Sequence, residues 1–297
     1  MKRYDHNVKK RGPYFEGWYL KHQARDGASL ALIPAMHMDS SGQRTSSLQV
    51  ISSHEAWWLD YPETGLQAWI SPFRLRLGEN TFSHRGIQLN IERPGLSLHG
   101  TLRYGPFTAL QSDIMGPFRF FSRMECSHGV VSMGHPLAGQ VTLNGETLEF
   151  SGGQGYIETD RGHSFPSSYL WTQCVWQEPR PCSLMLSIAT IPFGPLHFTG
   201  CICAVFHGGK EYRLATYRGV QVEQWSERGA VIRQGKERLE INLLSGKGHP
   251  LKAPVKGSMG RTIHESLCAT IRYRFWSGEK LLFDHTDPWA SFEYSAT

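Results

Sequence analysis

The sequence predicts an all-β protein made of two antiparallel β-barrels packed together, on the strength of three observations. Short apolar alternations bounded by turn residues recur through all 297 residues, the signature of half-buried strands. Helical periodicity is hard to find. The 31 glycines and 16 prolines are spread along the chain, as many turns require, rather than gathered in a low-complexity tail.

The alternations are clearest at residues 29–33, 47–52, 86–92, 96–104, 140–143, 184–191, 200–206, 211–217, 238–243 and 267–276. Turn residues separate them: Asp26-Gly27, Ser41-Gly42, Asn144-Gly145, Gly208-Gly209, the run from Ser245 to Gly248, and Ser277-Gly278. Asn144-Gly145, between Val141-Thr142-Leu143 and Thr147-Leu148-Glu149-Phe150, is the strongest hairpin signal, because a type I′ turn needs positive φ at both central positions. So many strands in one open sheet would leave pairing-prone edges, so closed barrels or sandwiches are expected. Two barrels of about eight strands fit the length better than one very large one. The expected boundary lies near residue 150, at Gly152-Gly153, which divides the chain into 1–150 and 151–297. With no flexible linker between them, the two should pack firmly, and the crevice at their junction becomes a candidate site.

Composition narrows the function. With 40% hydrophobic and 19% charged residues the chain can bury a substantial core. Aromatics, 12% of the chain, suit pleated surfaces and also the wall of a pocket for an apolar ligand. The net charge of +5 is mild, and the Lys and Arg are scattered except at Lys9-Lys10-Arg11. No basic stripe alternates with aromatics, so no nucleic-acid partner is expected. Contact with an anionic membrane should be peripheral at most. The start, Met1-Lys2-Arg3-Tyr4-Asp5-His6, has no apolar stretch behind it, so no signal peptide is expected, and no apolar run of ~20 residues spans a bilayer. None of the six cysteines forms a C-x-x-C pair; free buried thiols and a cytoplasmic location are expected.

Several common chemistries lack their motifs. There is no P-loop, no G-x-G-x-x-G opening a helix, no G-x-S-x-G and no H-E-x-x-H, since His264-Glu265 lacks its second histidine. No two of the 14 histidines have ligand spacing on one short element, and His128 and His135 sit on chain that reads as turn-rich. No metal site is expected.

Two segments depart from ordinary strands. In Gly12-Pro13-Tyr14-Phe15-Glu16-Gly17-Trp18-Tyr19-Leu20-Lys21, the carboxyl of Glu16 sits among four aromatics, where ionisation is costly and the pKa is expected to rise. The second runs from Gly155 to Gln173. If it is a strand, Tyr156, Glu158 and Asp160 share one face. Two carboxylates, Arg161 and His163 within six residues, flanked by aromatics, suit a proton-handling site. A solvated turn with surface ion pairs, worth ~0–1 kcal/mol, fits the same composition.

Pro13-Tyr14-Phe15-Glu16-Gly17-Trp18-Tyr19 resembles the opening motif of the tocopherol cyclase family. Similar likenesses follow in order: residues 124–132, with Cys126 and His128; Gly152-Gly153-Gln154-Gly155-Tyr156-Ile157-Glu158 running on to Gln173; residues 257–266; and Ser291-Phe292-Glu293. Each motif is modest, but together they cover nearly the whole chain. The resemblance implies two lipocalin-like barrels, related to carotenoid 1,2-hydratases. It also implies acid-catalysed closure of a prenylated hydroquinone to a chromanol, or hydration of an isoprenoid alkene, with no metal or nucleotide cofactor. One position departs: Arg161 stands where the family has a tryptophan, between a retained Asp160 and Gly162.

Such a reaction needs an acid kept protonated by apolar walls, and Glu158, Asp160 and Glu16 are the candidates, in that order. His163 or His128 would accept the phenolic proton. Tyr156, Trp18 and Trp171 would stabilise a cation with their ring faces, at ~0.5–2 kcal/mol each. Tyr19, Phe15, Phe165, Arg161 and Gln173 complete the expected substrate-binding set. The rival class is a non-catalytic carrier of an apolar isoprenoid or lipid, which the same fold would serve.

Overall fold

The structure, a computed structural model, describes residues 3–4, 12–69, 72–121, 124–193 and 196–296. The Lys9-Lys10-Arg11 run lies outside the described residues, as does most of the amino-terminal stretch read for an export signal. The chain folds into two large antiparallel sheets, one of thirteen strands and one of ten. Three one-turn 3-10 segments, Glu63–Gly65, Gly116–Phe120 and Thr216–Arg218, are the helical content of the described residues. None of their helices is long and apolar enough to cross a membrane.

The local signals work as turn chemistry says they should. Asn144 and Gly145 take φ of 48° and 87° and join Leu143 to its ladder partner Glu146. Gly208 and Gly209, at 61° and 80°, do the same between His207 and Lys210. The segment holding His128 and His135 is not turn-rich, as its glycines suggested. It is one long strand, Cys126–Leu143, which absorbs the awkward residues through register shifts between Val130, Ser132 and His135.

The two packed, barrel-like antiparallel units are as expected, each sheet wrapping round its own core; what differs is that the strand ladders do not close into rings. Side chains and connections stand where the closing ladder would be. In the second sheet the Gln234 amide bridges to the edge strand Lys210–Ala215, accepting from Ala215 N at 2.9 Å and donating to Arg213 O at 3.0 Å. In the first, the edge strand Ala56–Tyr61 is held by Trp57 Nε1 donating to Gly95 O at 2.9 Å. The change from one sheet to the other falls at residues 163–168 rather than at residue 150. The strand Gln154–Gly162 pairs on both sides with strands of the first sheet, and Tyr169–Glu178 opens the second.

The two-residue period of the strands separates three apolar clusters. In the strand Tyr14–Gln23, Tyr14, Trp18 and Leu20 point into the first core, while Tyr19 points between the sheets. In Tyr169–Glu178, Leu170, Cys174 and Trp176 fill the second core, while Tyr169, Trp171 and Val175 face the first sheet. Each fully buried Leu, Ile or Phe contributes ~1.5–3 kcal/mol by leaving water, so this segregation fixes which face each strand buries. Polar clamps cross the junction. Lys21 Nζ donates to Trp289 O at 2.7 Å, and the Gln49 amide makes reciprocal hydrogen bonds with the Lys252 backbone. Arg213, ion-paired with Glu211, donates to the carbonyls of Ser112 and Asp113, tying that stretch of the first half to the second sheet.

Candidate active site

A cavity of about 1370 Å³, its mouth included, lies at the junction of the two sheets. Its lining is mostly apolar and aromatic. Phe15 meets Phe165 edge-on at 5.4 Å, Phe165 meets Tyr169 at 5.9 Å, and Tyr19 meets Trp171 at 5.2 Å, so two groups of rings, each with members from both halves, line the cavity.

The first sheet supplies a charged cluster from three neighbouring strands. Glu158 stands opposite Tyr19 on one side of the strand Gln154–Gly162, and Asp160 stands opposite His128 on the other. Because directly opposed residues share a face, all four side chains point into the junction. His128 Nδ1 lies 2.9 Å from Asp160 Oδ1, and its Nε2 lies 3.3 Å from Glu158 Oε2, the latter an ion contact without hydrogen-bond alignment. Burial alone would lower the His128 pKa; the charges of Asp160 and Glu158 overcome it and raise it well above the ordinary value. Glu158 Oε2 also accepts from the Tyr156 hydroxyl at 2.5 Å and from Trp171 Nε1 at 3.2 Å. Cys126 donates to Asp160 Oδ1 at 3.4 Å, and its thiol is pushed up by burial and by that carboxylate.

The second sheet supplies two carboxyl groups of a different kind. Glu265 and Glu293 face each other across the ladder between Ser258–Ser277 and Lys280–Ser295. Both line the cavity and both are buried. The Tyr19 hydroxyl donates to Glu265 and lies 3.1 Å from Ser291 Oγ; the Tyr169 hydroxyl donates to Glu293. Burial raises the Glu265 pKa to about 8, against partial relief from Tyr19 and Lys21. Burial, then the charges of Asp160 and Glu158, raises that of Glu293 well above the carboxylate range. Two carboxyl groups that burial pushes toward the neutral form thus face the His128 cluster across the same apolar space.

Of the residues expected from sequence, Glu158, Asp160, His128, Phe15, Tyr19, Phe165 and Trp171 line this cavity. Tyr156 stands behind the lining and orients Glu158. Gln173 is buried on the face of Tyr169 and Trp171, and neither of its amide atoms has a hydrogen-bond partner. The remaining four do not converge on the cavity. Glu16 and Trp18 lie on the opposite face of their strand, where Trp18 joins the first core and Glu16 accepts from the Tyr14 hydroxyl at 3.4 Å. Arg161 is exposed and pairs in register with Glu16, so this cation stands outside the cavity lining. His163 follows the strand end, its backbone bound to Glu125 and Gly257, with its ring outside the lining. The strand period that carried the argument for Tyr156, Glu158 and Asp160 also excludes Glu16, which alternates out of phase with Phe15 and Tyr19.

Sequence reading missed Glu265 and Glu293 as acids. A signal was present: Ile263, Glu265 and Leu267 alternate, so the carboxyl occupies an apolar-face position. Among the described residues, His128, Glu158 and Asp160 also form a group with atoms close enough to hold a metal ion. The fit is poor as the group stands. An imidazolium paired through both nitrogens has no lone pair to give, and a metal would first have to displace its proton.

Fold and site together define a class: two curled antiparallel sheets, each with its own core, sharing a cavity at their junction. Solved structures with this architecture include CghA, determined with Sch210972, at 11% identity and TM-score 0.59, covering 96% of this chain and 89% of that one. A protein of Nitrosomonas europaea described as AttH matches at 11% identity and TM-score 0.56, over 95% and 93%. Kievitone hydratase from Nectria haematococca matches at 11% and 0.53, over 96% and 89%. The likeness is one of fold. The chain matches no family profile and no curated protein, and the tocopherol cyclase family is not singled out.

Proposed function

We propose that the chain is an acid catalyst of the tocopherol cyclase and hydratase kind, adding an oxygen nucleophile to the alkene of an apolar isoprenoid-type substrate. The observation that carries this is the pairing, across one apolar cavity, of the buried, tyrosine-bonded carboxyl groups of Glu265 and Glu293, whose pKa values burial raises, with the His128–Glu158–Asp160 cluster. Glu265 donates its proton to the alkene carbon, leaving a tertiary carbocation. The ring faces of Tyr19 and Trp171, held by hydrogen bonds to Glu265 and Glu158, stabilise that charge. A hydroxyl of the substrate, or a water, forms the new C–O bond and releases its proton to Glu158. Transfer between the two carboxyl groups restores the starting state, so no proton is gained or lost. Exclusion of water by the aromatic wall would favour ring closure over hydration. The motif-level resemblance and the hydratase named among the fold neighbours support the same reaction class.

A carrier of an apolar isoprenoid is the second reading, favoured by the apolar lining of the cavity. Incubation with a prenylated hydroquinone under reducing conditions, followed by mass analysis, separates the readings. A product of unchanged mass but new retention marks cyclisation, and a gain of one water marks hydration. Tight binding without change in the ligand marks carriage and sinks the catalytic reading.

A further inference from the structure

The three most exposed large apolar side chains of the described residues are Phe120, Phe121 and Leu196, at 75%, 60% and 69%. All three stand on segments that wall the cavity. Phe118, in the same turn as Phe120, lines it, and its ring lies 5.9 Å from that of Phe121. Leu196 opens the strand Leu196–His207, in which Phe198, Gly200 and Ile202 line the cavity. By the two-residue period, Leu196 continues that row one step outward. The apolar lining is thus carried out to the lip and into water by two segments distant in sequence. Single exposed apolar residues are ordinary; a set gathered on the walls of one apolar cavity is not.

Cations accompany the set. The Arg119 guanidinium lies 4.6 Å from the Phe120 ring centroid, and Arg119 is exposed. Arg218 is exposed on the Thr216–Arg218 turn, whose Tyr217 hydroxyl donates to Ile114 O and whose ring covers Gly116. Apolar prongs flanked by arginines complement the phosphate and acyl layers of an anionic bilayer.

We propose that this rim docks on an anionic lipid surface, with Phe120, Phe121 and Leu196 entering the headgroup–acyl boundary and Arg119 and Arg218 pairing with lipid phosphates. An apolar ligand then passes between bilayer and cavity without crossing water. The surface serves a cyclase, a hydratase or a carrier alike, so its failure would leave the proposed chemistry standing. The test is co-sedimentation of the full chain with phosphatidylcholine vesicles, with and without phosphatidylglycerol. The wild type is expected to bind the mixed vesicles, less so as salt rises. F120S/F121S/L196S should bind about tenfold more weakly or worse, with circular dichroism and melting temperature unchanged because these side chains pack little. R119E/R218E should lose the preference for phosphatidylglycerol. Wild-type protein that ignores both vesicles, or a triple variant that binds as wild type does, overturns the proposal. So does concentration-dependent dimerisation without vesicle binding that the triple variant abolishes, which would assign the rim to a second copy of the chain.

Discussion

The two walls of the junction cavity carry the same kind of group in different surroundings. On the first sheet, Glu158 and Asp160 flank a histidine that they hold protonated. On the second, Glu265 and Glu293 each receive one tyrosine hydroxyl, face each other across a ladder, and are driven toward the neutral form by burial. A carboxyl group has no fixed role; burial and the charges beside it together decide whether it serves as counter-ion or as acid. Two acids and one ion cluster facing each other across an apolar gap are the arrangement that proton donation followed by proton recovery requires.

The strongest way to break this contrast is to remove the acid of the second wall. Glu265→Gln keeps shape and hydrogen-bonding capacity but holds no proton to give, and is expected to lower turnover of a prenylated hydroquinone ~10²–10⁴-fold. Unimpaired turnover in Glu265→Gln and Glu293→Gln alike would return the donor role to the first wall. Next comes the charge balance of the first wall. His128→Gln leaves two carboxylates without their cation, and the expected loss is about 3 kcal/mol, or a melting temperature lower by roughly 5–10 °C. Adding Glu158→Gln and Asp160→Asn should recover part of it; if His128→Gln melts as wild type does, the ion cluster is not what holds that wall.

The pH dependence sharpens the comparison further. Since the Glu265 pKa is raised to about 8, the acid form is present at neutral pH and turnover should fall as pH rises through about 8. The sign for stability is the same: the group's favourable contribution is complete below the ordinary carboxyl range and is lost as pH rises through about 8. Glu265→Gln should therefore gain on the wild type in melting temperature between pH 5 and pH 9, the range being set by that shift. Acid conditions belong to a different part of the molecule. Burial lowers the pKa of His22 to about 4 and that of His135 to about 3, so their contribution is present above the ordinary histidine value of 6.5 and is lost as pH falls toward those figures. The smallest effect is expected on the far face of the first wall. Arg161→Trp and Glu16→Gln should change turnover by no more than about twofold, because both positions face away from the cavity. A larger change in either would show that the far face reaches the chemistry.

Much of the near wall was legible in the residues. The alternation Tyr156, Glu158, Asp160 has a single reading in a strand, and the structure keeps those three on one face with Tyr19 opposite. The same alternation was available for Phe15, Gly17 and Tyr19, and it already set Glu16 on the other side; the aromatic neighbours that made Glu16 attractive belong to two different faces. The far wall was hidden for a different reason. Glu265 and Glu293 lie more than a hundred residues from Glu158, and no local pattern says that two strands of a second sheet will lean over the first. The barrels failed to close for a reason equally invisible in sequence. Closure depends on whether edge strands meet backbone to backbone, and here the Gln234 side chain stands in that gap.

By itself, the amino-acid sequence determined an all-β protein, its hairpin turns, and the face on which Tyr156, Glu158 and Asp160 lie. These follow from φ preferences and a two-residue period, which act over a few residues. Only the tertiary structure decided that His128 sits between those carboxylates, that the buried Glu265 and Glu293 line the same cavity, and that Arg161 points away. Desolvation and charge pairing depend on what packs within a few ångströms, whatever its distance along the chain.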